Sequence, residues 1–489
     1  MIWLLTAATA LATIPAGLRW LRVAQREHYL PGEVTRFAVR WWWRTGLVNN
    51  LLDAAALIAT LGTTFDARYG FVVPVVATLG PVGLSLKGVT SPLAWTGRLR
   101  RLAILSGALL IAFLVVGGLF DQPLVVVVPL YLIAGIVDFS LWVLAPYEVR
   151  LGTQWVDKAA AKLKAVAPEV VAVTGSYGKT TTKSYVAHLL AGSRRVVASP
   201  ASFNNRMGLA RAINENLTPG TEVFVAEMGT YGPGEIAELC QWIRPKVAAL
   251  VAIGPVHLER FGTLEKIVSA KSEILDEADV GVVCVDHPLL KSLAAERAGT
   301  MRVIEVSAAD GITVDHERLV DVPDGVFGAN LAVALGICKG LGVSARDVSG
   351  RLSTLPKAEH RQTVITAEGG FTIIDDTFNS NPDGARSALR ALAGVAADGR
   401  SVVITPGMVE LGEVQDEENR RFAAEAADQV DHLVIVGRTN RRALTEGSGN
   451  RRASVTVVGS RDEAVAWARA NLGKGDAVLY ENDLPDHYP

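Results

Sequence analysis

Cysteine is scarce, with Cys240, Cys284 and Cys338 the only three in 489 residues, and no metal or redox spacing relates them. That excludes a disulfide framework and a thiolate metal centre, and it leaves the three as expected core residues. Charge of one sign is missing too: the formal net charge is -2, and neither basic stripes nor interleaved aromatics occur in the second half. No nucleic-acid partner is therefore indicated. The chain contains no G-x-G-x-x-G, no internal repeat and no low-complexity tail. The run Met1 to Leu18 lacks the positive start and small-residue cleavage pattern of a secretory leader, and it reads instead as a membrane anchor.

What the chain does have is apolar residues in excess, with a mean hydropathy of +0.27. The excess is local. After Met1 to Leu18, apolar stretches lie at Leu47 to Phe65, Phe71 to Leu86, Leu102 to Phe120 and Leu124 to Ala145. Each is close to the roughly 20 residues that cross a bilayer, so about five spans are predicted within residues 1–150. Arg19, Arg22, Arg26, Arg36, Arg40 and Arg44 fall between the first and second spans, and Lys87, Arg98, Arg100 and Arg101 between the third and fourth. Positive connections stay in the cytoplasm, which predicts a multi-pass inner (plasma) membrane protein with everything after Pro146 on the cytoplasmic side. The Trp41, Trp42, Trp43 cluster suits the headgroup layer, where it anchors the chain or recognises a lipid-linked substrate. Asn49, Asn50 and Asp53 should face other helices or water.

From about Leu151 short apolar runs alternate with amphipathic segments, the pattern of a parallel sheet covered by helices. Two such series are expected, at 151–355 and 356–489. Strands are predicted at Val170 to Val173, Val196 to Ala198, Val223 to Ala226, Val247 to Ile253 and Val280 to Val285. The second series has them at Phe371 to Ile374, Ser401 to Ile404, His432 to Val436, Ser454 to Val458 and Ala477 to Tyr480. The fold class is thus α/β, with a transmembrane helical region ahead of two α/β domains.

The most informative stretch is VVAVTGSYGKTTTK, Val170 to Lys183. An apolar strand breaks into Gly175, Ser176, Tyr177 and Gly178, then continues as helix from Lys179, Thr180 and Thr181. Backbone N–H groups of such a turn, and the helix N-terminus behind it, can point at phosphate oxygens. Lys179 adds a point charge, and the Thr180 hydroxyl can ligate Mg²⁺. A nucleoside triphosphate is the expected ligand, although the loop is shorter than the usual G-x-x-x-x-G-K-[ST]. Glu227 ends the strand VFVAE at the edge where α/β ligands bind, and could hold the same ion. His257 follows another strand, and Lys271 lies on the next helix. Taken alone, each of these two is more often a surface residue.

Together TGSYGKTTTK, SFNNRMG, VAEMGTYGPGEI, IGPVHLERFGTLEKIVSAKSEI, IIDDTFNSNPDG and GMVELGE resemble the Mur ligases, in particular their D-alanyl-D-alanine-adding branch. The resemblance covers Leu151 to the C-terminus and implies a P-loop ATPase domain followed by a Rossmann-like domain. It also implies a reaction: ATP turns a carboxylate into an acyl phosphate, and an amine then displaces phosphate to make an amide. By resemblance, Thr180 and Glu227 hold one magnesium ion, and His257 and a carbamylated Lys271 hold a second. Asn204 and Asn205 face the acyl phosphate or substrate, Asn330 faces the adenine, and Arg361 and Asp376 approach ATP when the domains close.

Departures accompany the resemblance. Membrane spans stand where family enzymes carry a uridine-nucleotide domain, which points to an acceptor that is a lipid-linked wall peptide or a surface polymer. The ending VLYENDLPDHYP replaces a Lys-Gly-Ser/Arg type ending, so Asp483, Asp486 and His487 are candidates for a different substrate pocket. Membrane-tethered ligases that polymerise glutamate are a rival reading. A membrane ATPase, a transporter or a non-catalytic regulator of wall synthesis is a rival of another class. The amine, on the main reading, is an amino acid or a dipeptide resembling D-alanyl-D-alanine.

Overall fold

The computed structural model describes every residue except 45, 87–92, 201–202, 257, 324–325, 357–362, 378–379, 396–398, 485–487 and 489; the side chains of 44 and 259 are also outside the description. Contacts divide the chain into a helical unit, Met1–Leu151 with Leu484–Pro489, and an α/β unit, Gly152–Asp483.

The helical unit contains α1 (Ile2–Arg26), α2 (Glu33–Arg44), α3 (Leu47–Gly62), α4 (Val72–Leu79), α5 (Gly97–Leu119), α6 (Pro123–Tyr131) and the start of α7 (Ile133–Val166). Among the described residues, α1 and α5 are long and apolar enough to cross a membrane, and up to four spans result if the bent pairs α2/α3 and α6/α7 each count as one. The predicted span Phe71 to Leu86 is different. Its helix has only eight residues, about 12 Å at 1.5 Å per residue. Pro81 and the glycines on either side of it end the helix early, and the chain continues as a turn.

A second correction concerns the arginines predicted to lie in the first connection. Helix α1 runs on through Arg26, and Arg19 and Arg22 are buried at 4% and 2% exposure. Their long side chains explain how. Arg19 donates to the carbonyls of Leu84, Ala77, Gly80 and Thr78, and Arg22 to that of Ser85, so the guanidinium groups tie down the turn after α4. The two ends of the bundle can be told apart by such contacts. Leu5 meets Gly70 and Trp3 meets Gly118 at one end. At the other, Gln25 bonds to Ala94, Asp138 accepts from the N–H groups of Gly32, Val34 and Thr35, and Arg101 pairs with Glu148.

In the α/β unit, the apolar run Val170 to Val173 forms β1 (Glu169–Thr174), buried on both faces as a parallel strand requires. The first sheet continues with β2 (Val196–Ala198), β3 (Val223–Glu227), β4 (Val247–Leu250), β5 (Val280–Cys284), β6 (Arg302–Ser307), β7 (Ile312–Val314) and β8 (Glu317–Val320). Its order is β2-β3-β1-β4-β5-β6-β7-β8, with parallel pairing except between β6 and β7 and between β7 and β8. The chain leaves β1 toward β2 and β3 and later crosses to β4. The C-terminal edge of β1 is therefore a topological switch point, where open α/β sheets bind ligands.

The second sheet holds β9 (Thr363–Thr366), β10 (Thr372–Asp376), β11 (Ser401–Thr405), β12 (His432–Val436), β13 (Ser454–Val458) and β14 (Ala477–Glu481), in the order β13-β12-β11-β14-β10-β9. Only β9 is antiparallel. The ten predicted strands are all present; β6, β7, β8 and β9 are additional. All three cysteines are buried, and burial pushes their thiols up to about 12, far from the reactive thiolate range.

Candidate active site

The turn after β1 is built for close approach. Gly178 stands at φ +79° and caps α8 (Lys179–Leu190); a Cβ there would come within 2.4 Å of Asn330 Oδ1 and 2.8 Å of Val251 Cγ1. Only glycine fits this position. The loop is fastened to the segment after β4: Ser176 N–H donates to the Ala252 carbonyl at 2.7 Å, and the Ser176 hydroxyl to that of Gly254 at 3.1 Å. Lys179 begins the helix and donates to the Gly175 carbonyl at 2.8 Å. Thr181 is buried on the first turn of the same helix.

Glu227 is the hub of the cluster. Strands β3 and β1 are neighbours, so the carboxylate at the end of β3 faces the first turn of α8. Thr180 donates to Glu227 Oε2 at 2.9 Å, Lys183 pairs with the same oxygen at 2.9 Å, and Asn204 Nδ2 donates to Oε1 at 3.2 Å. Lys183 was not singled out from the sequence, although it sits three residues after Thr180 and so on the same helical face. Asn205 does not join the cluster. It is exposed and caps the Arg206–Asn216 helix, accepting from Gly208 N–H at 2.9 Å. Of the two asparagines, Asn204 is the one at the site.

Lys271 is 3% exposed, and among the described residues no hydrogen bond or ion pair joins its side chain to another. Burial, and next the nearby charge of Lys179, push its ammonium well below the usual lysine range. A shift in that direction favours the neutral amine, the form that reacts with carbon dioxide. His257, expected beside it, lies outside the described residues, as does Arg361. Among the described residues, no three His, Cys, Asp or Glu side chains converge as a metal cluster. Thr180 and Glu227 nevertheless present adjacent hard oxygens, the donor type Mg²⁺ takes.

Beside the loop opens a cleft of about 480 Å³. Tyr177, Gly178, Thr181 and Asn330 line it together with Asp286, His287, Asn381, Asp383 and Arg390. Asn330 is thus next to the phosphate loop. Asp376 ends β10 and does not line this cleft. Its carbonyl accepts from Asn482 N–H at 3.1 Å.

That neighbourhood contains a residue the sequence reading overlooked. Glu481 ends β14, is 1% exposed, and accepts from the hydroxyls of Ser380 and of Thr405, the latter at 2.6 Å. Asn482, in the left-handed region at φ +65°, accepts from Ser380 N–H at 3.4 Å and donates to the Gly407 carbonyl at 2.6 Å. Together they join the loops that carry DDTFNSNPDG and GMVELGE. The departure of the C-terminal ending pointed instead to Asp483, Asp486 and His487: Asp483 pairs with Arg461 at 2.6 Å, and Asp486 and His487 lie outside the described residues.

Burial, reinforced by Asp376, pushes Glu481 up to about 7 against the two hydroxyl bonds, from an ordinary value of 4.5. The native state therefore binds this proton more tightly than the unfolded chain. The stability it gives is complete below pH 4.5 and lost as pH rises through 7, by about 3 kcal/mol in all. Denaturant midpoints measured from pH 4.5 to 8 should fall accordingly in wild type, and much less in Glu481→Gln. Parallel curves for the two proteins would refute the assignment.

The Mur ligase middle domain matches residues 173–331, and the Mur ligase glutamate ligase domain matches residues 360–480. The UDP-N-acetylmuramoyl-tripeptide--D-alanyl-D-alanine ligase of Mycobacterium leprae is 33% identical over 387 residues, covering 66% of this chain and 74% of that protein. The chain belongs to the Mur ligase family. The MurF ligase of Thermotoga maritima, solved in complex with ADP, matches this Mur ligase with a TM-score of 0.57 at 27% identity, over 68% of this chain and 80% of that one. MurF from Acinetobacter baumannii, at 24% identity, shares the fold with a TM-score of 0.58 over 68% of this chain and 77% of that one. This Mur ligase is an ATP-dependent, ADP-forming enzyme that joins an acid to an amine. Residues 1–151 precede both matched stretches.

Proposed function

We propose that the protein is a membrane-anchored ligase of cell-wall peptide synthesis, which joins an amine resembling D-alanyl-D-alanine to the carboxylate of a wall-peptide acceptor. The observation that carries this reading is the convergence of Lys179, Thr180, Glu227, Asn204 and Lys271 at the switch point of the first sheet. On this reading it is a multi-pass protein of the plasma membrane, which the apolar helices α1 and α5 support. Its catalytic domains, 151–355 and 356–489, work in the cytoplasm, where ATP is available.

In this reading the nucleotide lies along the cleft, with its phosphates on the N–H groups of Gly175 to Gly178. Lys179 leaves the Gly175 carbonyl and takes a phosphate oxygen, offsetting charge as the acceptor carboxylate approaches. A carboxylate oxygen bonds to the γ-phosphorus, ADP leaves, and the resulting acyl phosphate is attacked by the amine, which expels phosphate and loses a proton. Thr180 and Glu227 would hold one Mg²⁺, and His257 with a carbamylated Lys271 a second; these ions would neutralise the phosphate oxygens. Carbamylation suits Lys271 because it replaces an ammonium that would repel a cation with an anionic oxygen donor. Lys183 keeps the Glu227 carboxylate turned toward Thr180. Asn330 is placed for the base, and Arg361 and Asp376 would reach the nucleotide on closure, excluding water from the acyl phosphate.

The test is ADP release by the full chain in detergent, with wall tripeptide as acceptor and D-alanyl-D-alanine, glutamate or other amino acids as the amine. A product heavier by one dipeptide is expected with D-alanyl-D-alanine. Lengthening products with glutamate alone would move the assignment to a polyglutamate-type surface ligase. ADP release indifferent to every amine would sink both.

A further inference from the structure

The cleft beside the phosphate loop reaches as far as the end of β5. The loop follows β1, and the sheet order β1-β4-β5 puts the end of β5 two strand spacings away, about 10 Å. Asp286 and His287 follow β5 and line the cleft, as does Leu290 in the first turn of the Pro288–Arg297 helix. Ile253, Val326 and Phe327 are further apolar parts of the wall. With the phosphates on the loop, apolar side chains at that distance suit the flat faces of the base.

Beyond the loop, the domain of the first sheet offers Asp286, Asn330 and His287 to read the edge of that base. Asp286 is already committed. Its carboxylate accepts from the Ser307 hydroxyl, from Ala308 N–H at 3.0 Å and from the Cys284 thiol at 3.6 Å, which ties the end of β5 to that of β6. Asn330 lies against Gly178, and its amide carries a donor and an acceptor side by side, so it pairs with adenine and guanine alike.

His287 is different. Its Nδ1 accepts from Leu289 N–H at 3.2 Å and so caps the Pro288–Arg297 helix. A ring nitrogen that accepts carries no proton, so the neutral imidazole has its proton on Nε2. Among the described residues no hydrogen bond engages Nε2. The ring is thus a fixed donor, because exchanging the roles of its two nitrogens would break the cap. Adenine presents a bare acceptor, N1, on the edge where guanine carries N1–H. A fixed donor favours adenine only by meeting N1; beside the exocyclic position it would face the adenine amino group.

We propose that His287 Nε2–H donates to N1 of the adenine and makes the enzyme select ATP over GTP. The proposal rests on the reading above that places the nucleotide in this cleft. The test is calorimetric binding of Mg–ADP, Mg–GDP, 1-deaza-ADP and 7-deaza-ADP to the full chain in detergent. GDP, and 1-deaza-ADP with C–H in place of N1, should each bind about tenfold more weakly than ADP, whereas 7-deaza-ADP should match it. His287→Ser keeps a capping oxygen for Leu289 N–H and withdraws the donor from the base. It should weaken ADP about tenfold and leave 1-deaza-ADP unchanged, with a melting temperature near wild type. Equal weakening of both nucleotides in the variant would mark a purely structural residue and overturn the proposal, as would wild-type protein that binds ADP and 1-deaza-ADP alike. Amide formation is assayed separately, so an inactive protein with the expected binding pattern would sink the ligase reading and uphold this one.

Discussion

Replacing Lys179 with alanine should lower the rate of amide formation at least about 100-fold, the loss typical when one group that stabilises transition-state charge is removed. The reasoning is electrostatic. A carboxylate and a triphosphate repel each other as the new P–O bond forms, and the loop's ammonium, once it has exchanged the Gly175 carbonyl for a phosphate oxygen, offsets that charge. Lys179 is half-buried and starts α8, where alanine is an equally good helix former, so the melting temperature should change little. The rate loss should appear in kcat as well as in KM for ATP. A variant that still makes amide at more than a tenth of the wild-type rate would remove Lys179 from the chemistry.

The second large effect is on stability. Lys183 and Glu227 are both buried, at 5% and 2% side-chain exposure, and their contact is 2.9 Å. Lys183→Met removes the cation and leaves a buried carboxylate held by Thr180 and Asn204 alone. Breaking a buried pair from one side costs about 3–5 kcal/mol, because the remaining charge keeps its desolvation penalty. Chemical denaturation should show that loss, and activity should fall with it as Glu227 turns away from Thr180. The double variant Lys183→Met, Glu227→Gln should regain much of the stability and none of the activity. A single variant as stable as wild type would mean that the pair is solvated in solution.

Much of this was legible in the sequence because each signal had a local cause. The run VVAVTGSYGKTTTK specifies strand, turn and helix by residue type alone, and β1, the Gly178 turn and α8 follow it. Its short loop needed no extra glycine, since Ala252 and Gly254 support it from the next strand's end. Lys183 was passed over because a lysine on a helix is usually solvated; only the closeness of β3 to β1 makes it a buried partner. Asn204 and Asn205 could not be separated, because which one caps and which one reaches Glu227 depends on where the helix begins.

The short strands β7 and β8 and the edge strand β9 were missed for a different reason. Three or four residues carry too little alternation to rise above the background of loops. In the helical unit, composition marked the apolar segments correctly. It could not show that α4 stops after eight residues, or that Arg19 and Arg22 turn inward to the carbonyls of the following turn, since both depend on what packs alongside. Glu481 was hidden for the same reason: an acid near a C-terminus reads as solvated until β10 and β11 close over it.

The central claim is that a carboxylate is activated by phosphoryl transfer, and oxygen tracing tests it most directly. Wall tripeptide labelled with ¹⁸O in its terminal carboxylate would be turned over with ATP and D-alanyl-D-alanine, and the released phosphate weighed. The account predicts one ¹⁸O atom in each phosphate, because the oxygen that attacks the γ-phosphorus leaves with it when the amide forms. Phosphate carrying only oxygen from water or ATP, alongside ADP release, would mean plain hydrolysis and would contradict the account.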